Sequence, residues 1–236
     1  MKLEVLYLVE ATFFNFHPSL VHRAIPDAWK FSTPEKVLEA RLSSADATLR
    51  RLLGERVDAA EVAEAADLAR QAVEGCAVSG RALFAGHLSL PWPEPPHLAL
   101  WHAITLLREF RGDGHVAALL AEGLDGCEAH VTLTALGSAP KQTVQSARGW
   151  SDEEWAAAEA RLTSRGWLDA DGALTERGRA GRSAIEERTN ELAMPALRHL
   201  GEEGRARLVA LVRPLSGLIV EQGGITIPNP MGLTWP

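Results

Sequence analysis

The stretch Ser151–Leu174, SDEEWAAAEARLTSRGWLDADGAL, constrains the fold more than any other part of this chain. A helical run ends in a Leu-x-x-x-Gly-hydrophobic stop supplied by Leu162, Gly166, Trp167 and Leu168, and Asp169-Ala-Asp-Gly172 then reads as the tight turn of a two-stranded hairpin. A helix that stops on glycine and feeds a short β-ribbon is the ending of a winged helix-turn-helix, with that helix in the recognition position. A helix in the major groove and a wing along the phosphates both need Lys and Arg, because phosphate neutralisation supplies nearly all sequence-independent affinity. Here the helix offers Asp152, Glu153, Glu154 and Glu159 against Arg161 and Arg165, and the wing turn holds two Asp and no base. The pattern of the fold is present and the charge for gripping DNA is not.

The rest of the chain agrees with that charge. Its 236 residues carry a formal net charge of −7, which argues against a general nucleic-acid or anionic-membrane binder. With 46% hydrophobic and 23% charged residues the chain has the make-up of an ordinary globular protein, long enough for one large core or two small ones. Lysine is scarce (Lys2, Lys30, Lys36 and Lys141) and alanine abundant, as in a GC-rich genome. Cys76 and Cys127 are isolated, so neither a disulfide framework nor a zinc knuckle is expected, and a reducing cytoplasm is the expected compartment. The apolar start, Met1–Glu10, is interrupted by Glu4 and Glu10 and lacks a small-residue cleavage site, so it reads as structure rather than as a leader. No run approaches the roughly 20 apolar residues of a membrane span.

Along the chain the signals are those of a mainly α protein. Thr33-Pro34-Glu35 starts a helix whose Leu38, Leu42, Ala45, Leu49 and Leu52 share a face, and a second helix from Asp58 with Val62, Ala66, Ala69 and Val73 closes near Gly75. The stiff connector Pro91-Trp-Pro-Glu-Pro-Pro96 separates a helical N-terminal part, 1–96, from a winged-helix part, 97–236. In the latter, helix is expected from His97 to Phe110, a break at Arg111-Gly-Asp-Gly114, helix to about Ala121 and another from Asp125 to about Leu136. After the small β-wing, Thr175 opens a long helix interrupted at Pro195, a last helix carries Leu208, Leu211, Leu215 and Ile219, and a tail with Ile225, Ile227, Met231, Leu233 and Trp235 is expected to pack on the body or a partner subunit.

One region concentrates groups able to do chemistry. The helix Leu98–Leu107 is apolar on nearly every side except at His102 and Thr105, near Arg108 and Glu109, and a polar stripe on a buried helix must face a partner, water or a ligand. It leads to Arg111, Asp113 and His115. Capping accounts for part of this bend, with Gly112 closing one helix, Asp113 opening the next and Arg111 at a helix C-terminus, but it requires neither Arg108 nor His115. In the ligand-site reading, Arg108 and Arg111 hold a carboxylate or phosphate, Thr105 adds a hydroxyl, and His102, His115 and Asp113 are the proton-transfer candidates. Ala11-Thr-Phe-Phe-Asn-Phe-His-Pro18 reads first as core, but Asn15 and His17 are candidates to complete a pocket walled by Phe14, Phe16 and Trp101. No metal site is expected, since no H-E-x-x-H or H-x-H spacing is present, and phosphate-binding glycine loops, nucleophile elbows and cysteine-nucleophile motifs are absent, so no cofactor is named.

LWHAITLLREFRGDGHVAALLAEGLDGCEAH (Leu100–His130), with ATFFNFHPSLVHRAIPDAW before it and RGWSDEEW, LTERG and IEERTNELA after it, resembles a largely uncharacterised actinobacterial family of helix-turn-helix-like proteins. The resemblance spans nearly the whole chain. Relatives carry a longer N-terminal extension and often His where this chain has Phe110, so no role attaches to position 110. The wing half, Leu162–Leu168 with Leu174-Thr-Glu-Arg-Gly178, is similar to the MarR-type regulators, which place basic residues in helix and wing where this chain is acidic or apolar. Two functions follow as expectations. The first is a winged-helix scaffold turned to binding or converting a small, anionic molecule, as a homodimer through its C-terminal helices. The other is a MarR-like ligand-responsive transcriptional regulator, whose DNA contacts would have to come from Arg148, Arg177, Arg179 and Arg182.

Overall fold

A computed structural model of the protein describes the backbone of residues 2–233 and, from residue 5 on, their side chains; Trp235 of the tail lies outside the described residues. Helices α1 (Lys2–Thr12), α2 (Pro18–Ala24), α3 (Pro34–Leu53), α4 (Ala60–Glu74), α5 (Ala82–Leu88), α6 (Pro96–Ala121), α7 (Gly126–Ala135), α8 (Lys141–Arg148), α9 (Asp152–Ser164) and α10 (Glu176–Glu221) follow in order. None of them is long and apolar enough to cross a membrane.

The chain forms two compact units that interleave in sequence. The first takes in the chain up to Ser32, His115–Arg188 and the tail from Ile227, and the second is Thr33–Gly114 with Thr189–Thr226. Division by compactness therefore falls elsewhere than at the proline-rich connector, which lies inside the second unit.

The first unit is organised around α7, α8 and α9. Two reciprocal capping boxes start its key helices: Asp125 with Glu128 on α7, and Ser151 with Glu154 on α9. Gly149, in the left-handed region at φ +80°, ends α8 and makes the turn. Trp155, Ala158 and Leu162 of α9 pack with Val131, Val144, Leu119, Leu124, Trp167, Leu168, Leu174 and Ile185 in one buried cluster. The expected stop is realised: Gly166 takes φ +73°, and the Trp167 N–H donates to the Leu162 carbonyl at 2.9 Å.

The small β-wing that the sequence suggests is not seen. No strand occurs among the described residues, and the hairpin is reduced to one antiparallel bridge between Leu168 and Leu174. The arms have no room to extend. Trp167 and Leu168 enter the core directly, and Thr175 already caps the next helix, donating to the Gly166 carbonyl at 2.7 Å and accepting from the Gly178 N–H at 3.1 Å. The turn is tied by Asp169, whose carboxylate accepts from the Asp171 and Ala173 N–H groups. Gly178 is required at its place, because a Cβ there would fall 2.1 Å from the Trp167 carbonyl oxygen.

The second unit packs α3 and α4 with the first half of α6 and the second half of α10. Leu53, Val57, Val62, Ala65, Ala69, Leu100, Ala103, Leu211 and Leu215 form one cluster, and Val73, Phe84, Leu106 and Phe110 another. Thr33 caps α3 as its sequence indicates, accepting from the Lys36 N–H. α4 begins two residues later than expected, at Ala60, after a 3₁₀ turn over Gly54–Asp58.

Of two expected interruptions one is moved and the other is absent. α10 passes through Pro195 and breaks instead at Gly201, whose φ of +74° only glycine adopts readily. α6 runs unbroken through Arg111-Gly-Asp-Gly114. Each helical glycine costs about 1 kcal/mol relative to alanine, and the packing supplies the reason to keep Gly114. A Cβ there would meet the Arg81 guanidinium at 2.7 Å. That guanidinium donates to the Phe110 carbonyl and, at 2.9 Å, to the Leu192 carbonyl, and it lies 3.9 Å from the centre of the Phe110 ring.

Candidate functional site

The face on which a duplex reader depends is acidic or neutral. α9 exposes Asp152, Glu153, Ala156, Ala157, Ala160, Arg161, Thr163 and Ser164, its one exposed cation being ion-paired, with the two carboxylates in its first turn, where recognition helices touch base edges. Both of its arginines are committed within the unit. Arg161 donates to Glu128 at 2.9 Å and to Asp125 at 2.6 Å. Arg165 donates to Glu128 at 3.2 Å and to the carbonyls of Gly123 and Glu122 at 2.9 and 3.0 Å. The Glu128 carboxylate is only 4% exposed, so it is a buried anion held by two guanidiniums. Of the other basic residues available to a regulator, Arg182 is buried against Glu186 at 3.0 Å and Arg148 lies over the Phe16 ring at 4.3 Å. Arg177 and Arg179 are exposed.

The Phe-Asn-Phe-His segment fastens onto this module. The Asn15 carbonyl accepts from Trp150 Nε1 at 3.1 Å and from His130 Nε2 at 3.0 Å, and Gly126 approaches Phe14 so closely that a Cβ would fall 2.2 Å from its carbonyl oxygen. His17 caps α2 through Nδ1 and meets Glu154 through Nε2 at 2.8 Å, so both ring nitrogens are engaged. Asn15 Oδ1 is buried without a hydrogen-bond partner. Burial and the charge of Arg148 push the His130 imidazole down to about 4.

The remaining candidates divide between the units. Trp101, His102, Thr105, Arg108, Arg111 and Asp113 stand on α6 in the second unit, and His115, half-buried, belongs to the first with Asn15 and His17. Asp113 accepts from the Phe84 N–H at 2.9 Å and the Leu83 N–H at 3.4 Å, capping α5 from another helix. Arg108 pairs with Glu109, Arg111 donates to Asn190 at 3.3 Å, and Thr105 donates back to the Trp101 carbonyl at 2.8 Å. The α6 stripe thus supplies its own partners at Thr105 and Arg108, and α5 supplies those of Asp113.

His102 is different. It is 2% exposed, its Nε2 has no hydrogen-bond partner, and the Trp92 ring stands edge-on to it at 4.8 Å. Burial first, and then the charges of His87 and Arg41, lower its pKa, so the ring is neutral at physiological pH. Arg41 of α3 stacks on Trp101 at 4.4 Å and reaches His87 Nε2 at 3.5 Å, and Arg70 stacks on Trp92 at 4.5 Å. Sequence reading finds His102 and Trp101 and misses Arg41, His87 and Trp92. Arg41 is one charged residue among many on an amphipathic helix, and nothing local marks it.

Thiol chemistry is disfavoured at both cysteines, where burial raises Cys76 to about 11 and Cys127 to about 12. Among the described residues no group of three His, Cys, Asp or Glu is placed to hold a metal ion. Surface clefts among the described residues include one of about 540 Å³ in the first unit beside Thr134, Ser138, Lys141, Glu159 and Pro228, and one of about 450 Å³ in the second unit beside Arg56, Val62, Leu211 and Pro214. Neither lining contains a candidate residue.

Comparison with curated proteins and with solved structures gave no match. Comparison with protein families gave one described as a helix-turn-helix family, matched over residues 6–226. The match covers almost the full chain of a mainly helical molecule, and this protein belongs to that helix-turn-helix family.

Proposed function

We propose that the protein uses its helix-turn-helix scaffold to bind a small anionic organic molecule, and that α9 does not read duplex DNA. The observation that carries the reading is the neutralisation of α9: its two arginines are tied to Glu128 and Asp125, and its first turn presents Asp152 and Glu153. Each cation withdrawn from the phosphates removes one released counterion and about one unit of salt slope, and each carboxylate at the groove adds repulsion. The binding function is assigned to the second unit. His102 and Trp101 stand at its centre, with Thr105, Arg108 and Arg111 farther along α6. If the molecule is also converted, neutral His102 is the group to accept a proton; Asp113, as a helix cap, takes no part.

A thermal-melting screen of the whole protein tests the reading. The wells hold small organic acids, their neutral amides, and the duplex fragment from upstream of the coding sequence. A saturable rise in Tm with an acid and none with the duplex is the expected result, since a ligand that binds the native state alone stabilises it by mass action. A saturable, sequence-dependent rise with the duplex would establish the MarR-like regulator instead, acting through the exposed Arg177 and Arg179.

A further inference from the structure

Around Arg41 in the second unit, cationic and donor groups among the described residues outnumber their partners. Arg41 is half-buried, and burial alone lowers the pKa of its guanidinium. Among the described residues no carboxylate lies within salt-bridge distance of it, and Glu109, the acid whose field reaches it, is paired with Arg108. A desolvated guanidinium without an ion-pair partner is costly unless something else compensates it. Its position is nonetheless fixed. His87 Nδ1 donates to the Leu83 carbonyl at 2.9 Å, which leaves Nε2 as the acceptor for Arg41 at 3.5 Å, and Trp101 lies beneath the guanidinium at 4.4 Å. His102, which the charge of Arg41 reaches, follows Trp101 in α6 and has a bare Nε2, and a buried ring nitrogen without a partner forgoes roughly 1–3 kcal/mol.

We propose that Arg41, Trp92, Trp101 and His102 form a binding site for a small aromatic carboxylate, with His87 as the positioning residue for Arg41. This rests on the small-molecule reading above. One carboxylate oxygen accepts from Arg41 and the other from the Nε2–H of His102, and the ring of the ligand lies against the indoles. Charge selects the class. Arg41, with Arg70 over the Trp92 ring, supplies the positive charge that a carboxylate answers, whereas Glu109 opposes a second negative charge on the ligand such as that of a phosphate dianion. The same guanidinium repels a metal ion, and a neutral ring compound such as an amide offers one acceptor oxygen and no charge to balance Arg41.

The test is titration of benzoate into the full-length protein carrying ¹⁵N-labelled tryptophan, with benzamide as the neutral isostere and acetate as the ringless acid. The indole signals are assigned by Trp92→Phe and Trp101→Phe. Benzoate is expected to move the Trp92 and Trp101 signals saturably, leaving those of Trp155 and Trp167 in place, with benzamide and acetate at least about tenfold weaker. Arg41→Gln should weaken benzoate by about tenfold or more, and Arg41→Lys by less. The wild-type shifts alone decide the matter should Arg41→Gln fail to fold. Equal response to benzoate and benzamide, or no response of Trp92 and Trp101 at millimolar benzoate, overturns the site. If benzoate moves only signals of the first unit, the site falls while the small-molecule reading stands; if the duplex is what the protein binds, both fall.

Discussion

His130 should make the first unit acid-labile in a way that can be measured. The residue is 4% exposed on α7 and donates from Nε2 to the Asn15 carbonyl at 3.0 Å, with Arg148 near enough to oppose a charge on the ring. Its pKa is about 4 folded, against 6.5 for a free imidazole. As pH falls below 6.5 the unfolded chain takes up a proton that the folded chain refuses, so stability is fully present above pH 6.5 and is lost towards pH 4. The difference reaches about 2.5 kcal/mol at pH 4.5, as an upper figure. Other groups also titrate in this range, so the comparison must be with His130→Gln, which keeps an N–H donor and loses the titration. Urea denaturation at pH 7.5 and 4.5 is the assay. The wild type should lose about 2.5 kcal/mol more than the variant between the two. Parallel losses, or an imidazole that titrates near 6.5 in the folded protein by proton NMR, would refute the reasoning.

Other substitutions probe the same unit. Gly178→Ala should cost about 3 kcal/mol or more by urea denaturation, because its Cβ cannot coexist with the Trp167 carbonyl 2.1 Å away, whereas Gly172→Ala, with open space around it, should pay only for its φ of +80°, about 1–2 kcal/mol. Glu128→Gln removes the buried anion between Arg161 and Arg165, and since both arginines can partly rehydrate the loss should be about 2–3 kcal/mol in the same assay. The tail exposes Ile225, Ile227, Met231 and Leu233, each 40–48% accessible, and we expect these to contribute to a homodimer; light scattering at high concentration should give twice the chain mass, and a monodisperse monomer would exclude it.

How much of this was legible in the sequence depended on whether a signal and its partner lie close together. The α9 stop needed only Leu162, Gly166, Trp167 and Leu168, which meet within one turn, and Thr33 before Pro34 marked its helix start because capping is local. The Arg111–Gly114 segment misled because glycine and aspartate are cap signals only where nothing better is offered. Here Gly114 accommodates Arg81 and Asp113 caps α5, partners some thirty residues upstream that no periodicity reveals. The wing turn was readable at Asp169 and Gly172, but the shortness of its arms followed from the tertiary burial of Trp167 and Leu174. Of the candidate site, His102 and Trp101 stood out on an apolar helix. Arg41 and His87 did not, since their meaning comes from α3 and α5 being folded beside α6.

The central proposal is that α9 of this chain does not grip duplex DNA, and fluorescence anisotropy of labelled duplexes at physiological salt tests it most directly. The fragment upstream of the coding sequence and a scrambled duplex of equal length should bind alike and weakly, with Kd no tighter than the roughly 10⁻⁶ M of non-specific association. Nanomolar binding of the upstream fragment alone, abolished by the double substitution Arg177→Ala and Arg179→Ala, would contradict it.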